Sequence, residues 1–134
     1  MGCDIHGAVE VKSLNKWKYV SELKWQNRAY KIFCRLAGVR CAGSIDGASA
    51  DYFISDDVSK TTKHEYDAWG SDAHSIKTMP AIQFIDAVIQ DNEPWYIEST
   101  TAELIWAWLG IDELLFFAKG NTLDDFRVII WFDN

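Results

Sequence analysis

The stretch Cys3-Asp4-Ile5-His6-Gly7-Ala8-Val9-Glu10-Val11-Lys12 decides the fold, because its residues alternate in character. Ile5, Gly7, Val9 and Val11 fall on one face, and Asp4, His6, Ala8, Glu10 and Lys12 on the other. Successive side chains of an extended chain point to opposite sides, so this alternation is that of a half-buried strand. Ser13-Leu14-Asn15-Lys16 turns the chain, and Trp17 to Glu22 reads as a second strand. The N-terminus therefore opens as an antiparallel hairpin in which Trp17 and Tyr19 can pack across the pair.

Beyond the hairpin the period changes. Asn27 is a good N-cap, Ala29, Ile32, Phe33, Leu36 and Ala37 recur at helical spacing, and Gly38 closes the helix. Residues 38–57 are rich in Gly, Ala, Ser and Asp and read as a long loop with a short strand at Tyr52-Phe53-Ile54. Thr61 to Trp69 is a short helix ending at Gly70, and the Gly70-to-Ser75 stretch reads as a loop. Thr78 can cap a further helix with Pro80 in its first turn and Ile82, Phe84, Ile85, Val88 and Ile89 on its apolar face, until Asp91-Asn92-Glu93-Pro94 breaks it. Thr100-Thr101-Ala102-Glu103 matches a capping box opening a helix through Leu109, which stops at Gly110; Leu114 to Phe117 fits a short helix or a buried strand. Phe126 to Phe132 is β-branched and aromatic, as in a central strand. The expected fold is α+β, a single domain over residues 1–134. Its antiparallel sheet joins the N-terminal hairpin to the C-terminal strand, with three or four helices covering one side.

Composition narrows the function. The 134 residues are 49% apolar and 14% aromatic, with seven tryptophans, which fits a packed domain. A net charge of −7 opposes non-specific binding to nucleic-acid backbones, although a local basic pocket can still hold a small nucleotide. Cys3, Cys34 and Cys41 are odd in number and lack C-x-x-C spacing, so no disulfide framework or cysteine zinc knuckle is expected, and the setting reads as a reducing cytoplasm. Cys34 reads as a core residue and Cys3 as an ordinary buried thiol. No apolar run approaches the ~18 residues that span a membrane. Glycine-rich dinucleotide and phosphate loops, the Gly-x-Ser-x-Gly elbow and the His-Glu-x-x-His helix are all missing from the sequence.

Two acid-x-His tripeptides remain, Asp4-Ile5-His6 and Asp72-Ala73-His74, and they hold two of the three histidines. Brought together, Asp4, His6, Asp72 and His74 would make a mixed nitrogen and oxygen site for a divalent metal: zinc, manganese or iron. Glu10, on the same strand face as Asp4 and His6, would position or deprotonate a water. The competing reading makes His6 and His74 hydrogen-bonded structural residues. Arg28 and Arg40 bracket the first helix, and either could clamp a phosphate or carboxylate, although the stronger reading of each alone is structural: Arg28 paired with a nearby acid and Arg40 at the negative end of the helix dipole. Trp69 is placed to stack on a planar ligand or to fill core. Trp106 and Trp108 lie about 200° apart on a helix, so they cannot share a face. Ser75 beside His74 is not a nucleophile-base pair on sequence grounds, since adjacency does not set side-chain geometry; it can as easily cap the next segment.

MGCDIH with a following Glu, then NRAYKIFCRLAGVR, YDAWGSDAHS and the terminal FRVIIWFDN resemble a family of small bacteriophage and prophage proteins that open with Met-Gly-Cys-Asp-Ile-His. The resemblance spans most of the chain and implies a phage or prophage accessory protein acting in the host cytoplasm, without implying an activity. The family pattern falls on Asp4, His6, Glu10, Asn27, Arg28, Tyr30, Arg40, Trp69, Asp72, His74 and Ser75, which places Arg28, Arg40, Trp69 and Ser75 among the ligand-binding candidates. Relatives often continue with Ser-Trp-Leu where this chain has Ile76-Lys77-Thr78-Met79, so Trp69 or Trp95 would supply any aromatic lid.

The leading functional expectation is a metal-assisted site that binds or hydrolyses a phosphorylated or nucleotide-like ligand, with Arg28 or Arg40 neutralising the leaving group if hydrolysis occurs. The alternative is a non-enzymatic counter-defence protein that occupies a host defence protein through an acidic, aromatic-rich surface. A third is a homo-oligomer in which both tripeptides are structural.

Overall fold

The alternating N-terminal stretch forms β1 (Ile5–Ser13), and the hairpin returns as β2 (Lys16–Glu22). Leu14 and Asn15 between them both adopt positive φ, 52° and 61°. That is the two-residue turn whose twist matches the strands it joins. The computed structural model describes residues 2–24, 30–41, 52–90 and 122–133. Within them the remaining elements are α1 (Tyr30–Ala37), α2 (Lys60–Trp69), β3 (Ala73–Pro80), α3 (Ala81–Gln90) and β4 (Phe126–Asp133), with 3-10 turns at Gly70–Asp72 and Leu123–Asp125. The four strands form one antiparallel sheet in the order β2-β1-β4-β3, giving the expected α+β fold. No described helix is long and apolar enough to cross a membrane.

β4 lies between β1 and β3 and is buried along Phe126 to Phe132. Its apolar residues do not alternate with polar ones, so both faces of the sheet need cover. Val128, Ile130 and Phe132 join Ile5 and Val9 in a core against Phe33 and Leu36 of α1 and Phe84, Ile85 and Val88 of α3. Ile129 and Trp131 turn the other way, onto Tyr66 and Trp69 of α2 and onto Ile54 and Val58. Helices therefore flank both faces of the sheet, where one covered side was expected.

Arg127 is the polar exception in that run, only 7% exposed. An unpaired buried guanidinium costs several kcal/mol, more than the roughly 1.5–3 kcal/mol that burying one apolar neighbour returns. Glu10, its cross-strand partner, supplies the answer. Its Oε1 accepts from Arg127 Nε (3.0 Å) and Nη2 (2.8 Å). Its Oε2 accepts from the Ser59 amide (2.8 Å) and the Thr62 hydroxyl (2.6 Å). Nη1 of Arg127 reaches Asp57 at 2.8 Å, and the guanidinium lies 4.1 Å from the Trp17 ring centroid. Ser59 is also the N-cap of α2, so one carboxylate ties that helix to the sheet.

Several local expectations are corrected. Residues 73–80 form a strand, not a loop followed by a cap, and Thr78 pairs with Ile129. The register runs from His74↔Phe132 to Lys77↔Ile130, so one extra residue is inserted at a bulge that includes Ser75, whose φ is 56°. Such an insertion breaks the period-two pattern that would have marked the strand. Tyr52-Phe53-Ile54 is not a strand; the Tyr52 hydroxyl donates to the Ala37 carbonyl at the end of α1 (2.6 Å). Cys34 and Cys41 form a disulfide, against the expectation that no disulfide framework forms, which removes the argument from cysteine count to a reducing compartment. Gly38 ends α1 as expected, with φ 67° and its N–H donating to the Cys34 carbonyl (2.8 Å). The Asn27 cap, Arg28, Trp95, the helix of residues 100–109 with Trp106 and Trp108, and Leu114 to Phe117 lie outside the described residues.

Two stability predictions follow from this packing. A Cβ on Gly7 would run into the Ile129 carbonyl of β4, so Gly7→Ala should cost on the order of 1–3 kcal/mol by overpacking. A denaturant midpoint equal to that of the parent would refute the close approach. For Glu10, burial alone would raise the carboxyl's pKa, but hydrogen bonds from Thr62, Ser59 and Arg127 outweigh it and hold the group below its ordinary 4.5. The folded carboxylate thus keeps its charge where the unfolded one takes up a proton. Its contribution is complete above about pH 4.5 and drains away as pH falls below it. Glu10→Ala, which strands Arg127, should cost about 3–5 kcal/mol at neutral pH and flatten the acid side of the stability profile. Urea titrations across pH 3–7 would measure both effects.

Candidate functional site

The two acid-x-His segments meet at one end of the sheet, where β1 begins, β3 begins and β4 ends. Asp133, the last residue of β4, organises that end. Its Oδ2 lies 3.0 Å from His6 Nε2, and its Oδ1 accepts from the Asp4 amide at 2.9 Å. Its own N–H donates to the Asp4 carbonyl at 3.1 Å, and its carbonyl lies 3.3 Å from His74 Nε2. A carboxylate and a carbonyl only accept, so both imidazoles carry hydrogen on Nε2 toward Asp133. Nδ1 of His74 then accepts from the Ser75 hydroxyl at 3.0 Å.

The histidines nevertheless occupy opposite faces. His6 pairs with Trp131 and His74 with Phe132, and consecutive strand residues point to opposite sides. His6 packs against Trp69 on the α2 side, ring centroids 4.0 Å apart. His74 stacks on Phe132, centroids 6.2 Å apart, a ring belonging to the core beneath α1 and α3. Asp4 enters this arrangement through its backbone, and Asp72 is exposed at the end of the 3-10 turn. Among the described residues no group of three or more His, Cys, Asp or Glu side chains is arranged to hold a metal ion. The expected convergence of Asp4, His6, Asp72 and His74 on a single zinc, manganese or iron is not the geometry found, because His6 and His74 lie on opposite faces of the sheet.

Glu10 shares the face of His6, as the alternation predicts, yet stands four residues along the strand, about 13 Å away at ~3.3 Å per residue. Both of its oxygens are engaged by Arg127, Ser59 and Thr62, and the residue is fully buried. It is therefore a carboxylate whose two oxygens are both engaged in tying α2 and Arg127 to the sheet, which corrects its assignment as a catalytic base.

On the α1 side, Cys3 is the free thiol and is buried. Burial pushes the thiol's pKa up, while a hydrogen bond from Arg40 pulls it back in part. The Arg40 guanidinium sits 5.5 Å from the Tyr30 ring centroid, and the Tyr30 hydroxyl accepts from the Cys3 amide at 3.2 Å. Arg40 itself is exposed, with a positive φ of 58°. Its charge is thus held beside the start of β1, near the sheet end. Arg28 lies outside the described residues.

Asp133 is the residue that reading the sequence missed. Its signal was present: an acid ending an otherwise apolar strand, which antiparallel pairing with β1 must bring beside Asp4 and His6. The side chains of His6 and Asp133 remain 23% and 22% exposed, so water and small solutes reach the pair. Comparison with protein-family models, with curated proteins and with solved structures gave no match to this chain.

Proposed function

We propose that this end of the sheet binds a small phosphorylated, nucleotide-like ligand, with the His6–Asp133 pair as its centre. The observation that carries the reading is the pair itself: an imidazole held by a carboxylate at 3.0 Å, partly open to solvent, against an aromatic ring. Asp133 fixes the ring orientation by accepting from His6 Nε2, so that the ring's other nitrogen is presented in a set direction for a hydrogen bond with a ligand. Arg40 contributes a cation at the same end of the sheet, on its α1 side, and Trp69 offers an aromatic ring beside His6 for a planar group. A single cation such as Arg40 at this end of the sheet is compatible with an acidic chain, because binding depends on the charges within a few ångströms of the ligand. The phage family that the N-terminus resembles supplies a setting for such a protein, an accessory factor acting on small metabolites of its host.

Calorimetric titration with inorganic pyrophosphate, AMP and a cyclic mononucleotide, each with and without a divalent cation, tests the reading. His6→Ala and Arg40→Ala should each weaken AMP by about tenfold, the scale of one charged hydrogen bond. Trp69→Ala should weaken AMP more than pyrophosphate, since only the former has a base to stack. Binding of none of these by the folded parent, together with recovery of a defined host protein on the acidic surface, would replace this reading with the inhibitor one.

A further inference from the structure

Ser75 is the non-glycine residue of β3 that holds a left-handed backbone, φ 56°. It does so at the bulge where the β3–β4 ladder is interrupted. That conformation is disfavoured for a serine by roughly 1–2 kcal/mol, and residues held this way cluster at sites of chemistry. The consequence here is that the Ser75 hydroxyl is turned back onto its own neighbour, with Oγ 3.0 Å from His74 Nδ1. The opposite nitrogen of that imidazole is fixed in turn on the Asp133 carbonyl at 3.3 Å. A hydroxyl, a base within hydrogen-bond reach and a third group orienting the base are the parts of an activated nucleophile. Both residues are half-buried, so the hydroxyl is reachable at the rim of the sheet.

We propose that Ser75 is a nucleophile and His74 its general base, acting on phosphoesters. This rests on the phosphorylated-ligand reading above for its substrate class, and on the serine geometry for its chemistry. In the first step Ser75 Oγ attacks phosphorus, the new O–P bond forms as the bond to the leaving oxygen breaks, and the hydroxyl proton passes to His74 Nδ1. The leaving oxygen takes that proton. In the second step a water attacks the phosphoserine, gives its proton to His74 and then, through it, to the departing Ser75 oxygen. Phosphate leaves, the serine is restored, and no oxidant or further reactant is consumed. Asp133 serves as a positioning residue, holding His74 through its carbonyl and His6 through its carboxylate.

A fluorophosphonate ester tests the nucleophile directly, because attack forms an O–P bond, expels fluoride and leaves a stable adduct. Peptide mapping of the labelled parent protein should place the adduct on Ser75, with the exposed Ser71 as an internal comparator in the same peptide region. His74→Gln should slow labelling by about a hundredfold, the lower end of general-base catalysis, while Ser75→Gly, which suits the left-handed backbone, should abolish it in a protein that still melts cooperatively. Labelling of Ser75 no faster than Ser71, or unaffected by His74→Gln, would overturn the proposal. AMP binding measured on the same samples separates the two claims. Labelling without AMP binding would leave the nucleophile standing and remove the nucleotide, and binding without labelling would do the reverse.

Discussion

The burial of β4 on both faces is the constraint on which the rest of the molecule depends. A strand that presents Val128, Ile130 and Phe132 to one side and Ile129 and Trp131 to the other needs two layers of cover, and it needs neighbours for both of its edges. β1 and β3 take the edges; α1 and α3 take one face, α2 the other. Arg127 is tolerated in the middle of this arrangement because Glu10 meets it across the strand pair and Ser59 and Thr62 complete the carboxylate's hydrogen bonds. Removing Glu10 leaves the buried Arg127 to Asp57 and the Trp17 ring, and removing Arg127 leaves the buried carboxylate to Ser59 and Thr62 without its countercharge.

The same topology brings the two ends of the described chain together. His6 and Asp133 are separated by 127 residues, yet the β1–β4 register places them side by side at one end of the sheet. There the carboxylate of Asp133 replaces a backbone carbonyl as acceptor for the Asp4 amide, so the ladder closes with a side chain whose second oxygen remains for His6. Polar groups gather at this end because β1 and β3 begin and β4 ends there, and the backbone must find partners other than a continuing ladder. One residue thereby links two imidazoles that lie on different faces.

Much of the frame was legible from the chain. The alternation of residues 5–11 and the apolar spacing up to Gly38 correspond directly to β1 and α1, and Glu10 does share a face with His6. The lack of alternation in Phe126 to Phe132 also carried a message that was not drawn from it, namely that cover is needed on both sides. β3 was hidden for a physical reason: an inserted residue at Ser75 shifts the period, so Ile76 and Lys77 fall out of step with His74. The two Asp-x-His tripeptides look equivalent as text, but one sits at the start of a regular strand and the other runs from a 3-10 turn into a bulge. Their side chains therefore cannot be superposed onto one ligand set. The Cys34–Cys41 bridge, seven residues apart across a helix end, has no spacing signature that separates it from two core thiols.

The proposed function rests on ligand binding at the sheet end around Asp133. Nuclear magnetic resonance of the labelled protein with AMP added tests that binding most directly, through the backbone amides and the imidazole nitrogens together. Binding there should concentrate shift changes at residues 3–6, 69–75 and 131–133, with the His6 ring nitrogens among the largest. Changes confined to the opposite end, around Glu10, Ser59 and Arg127, or confined to the surface groove along Ile54, Lys60 and His64, would contradict it.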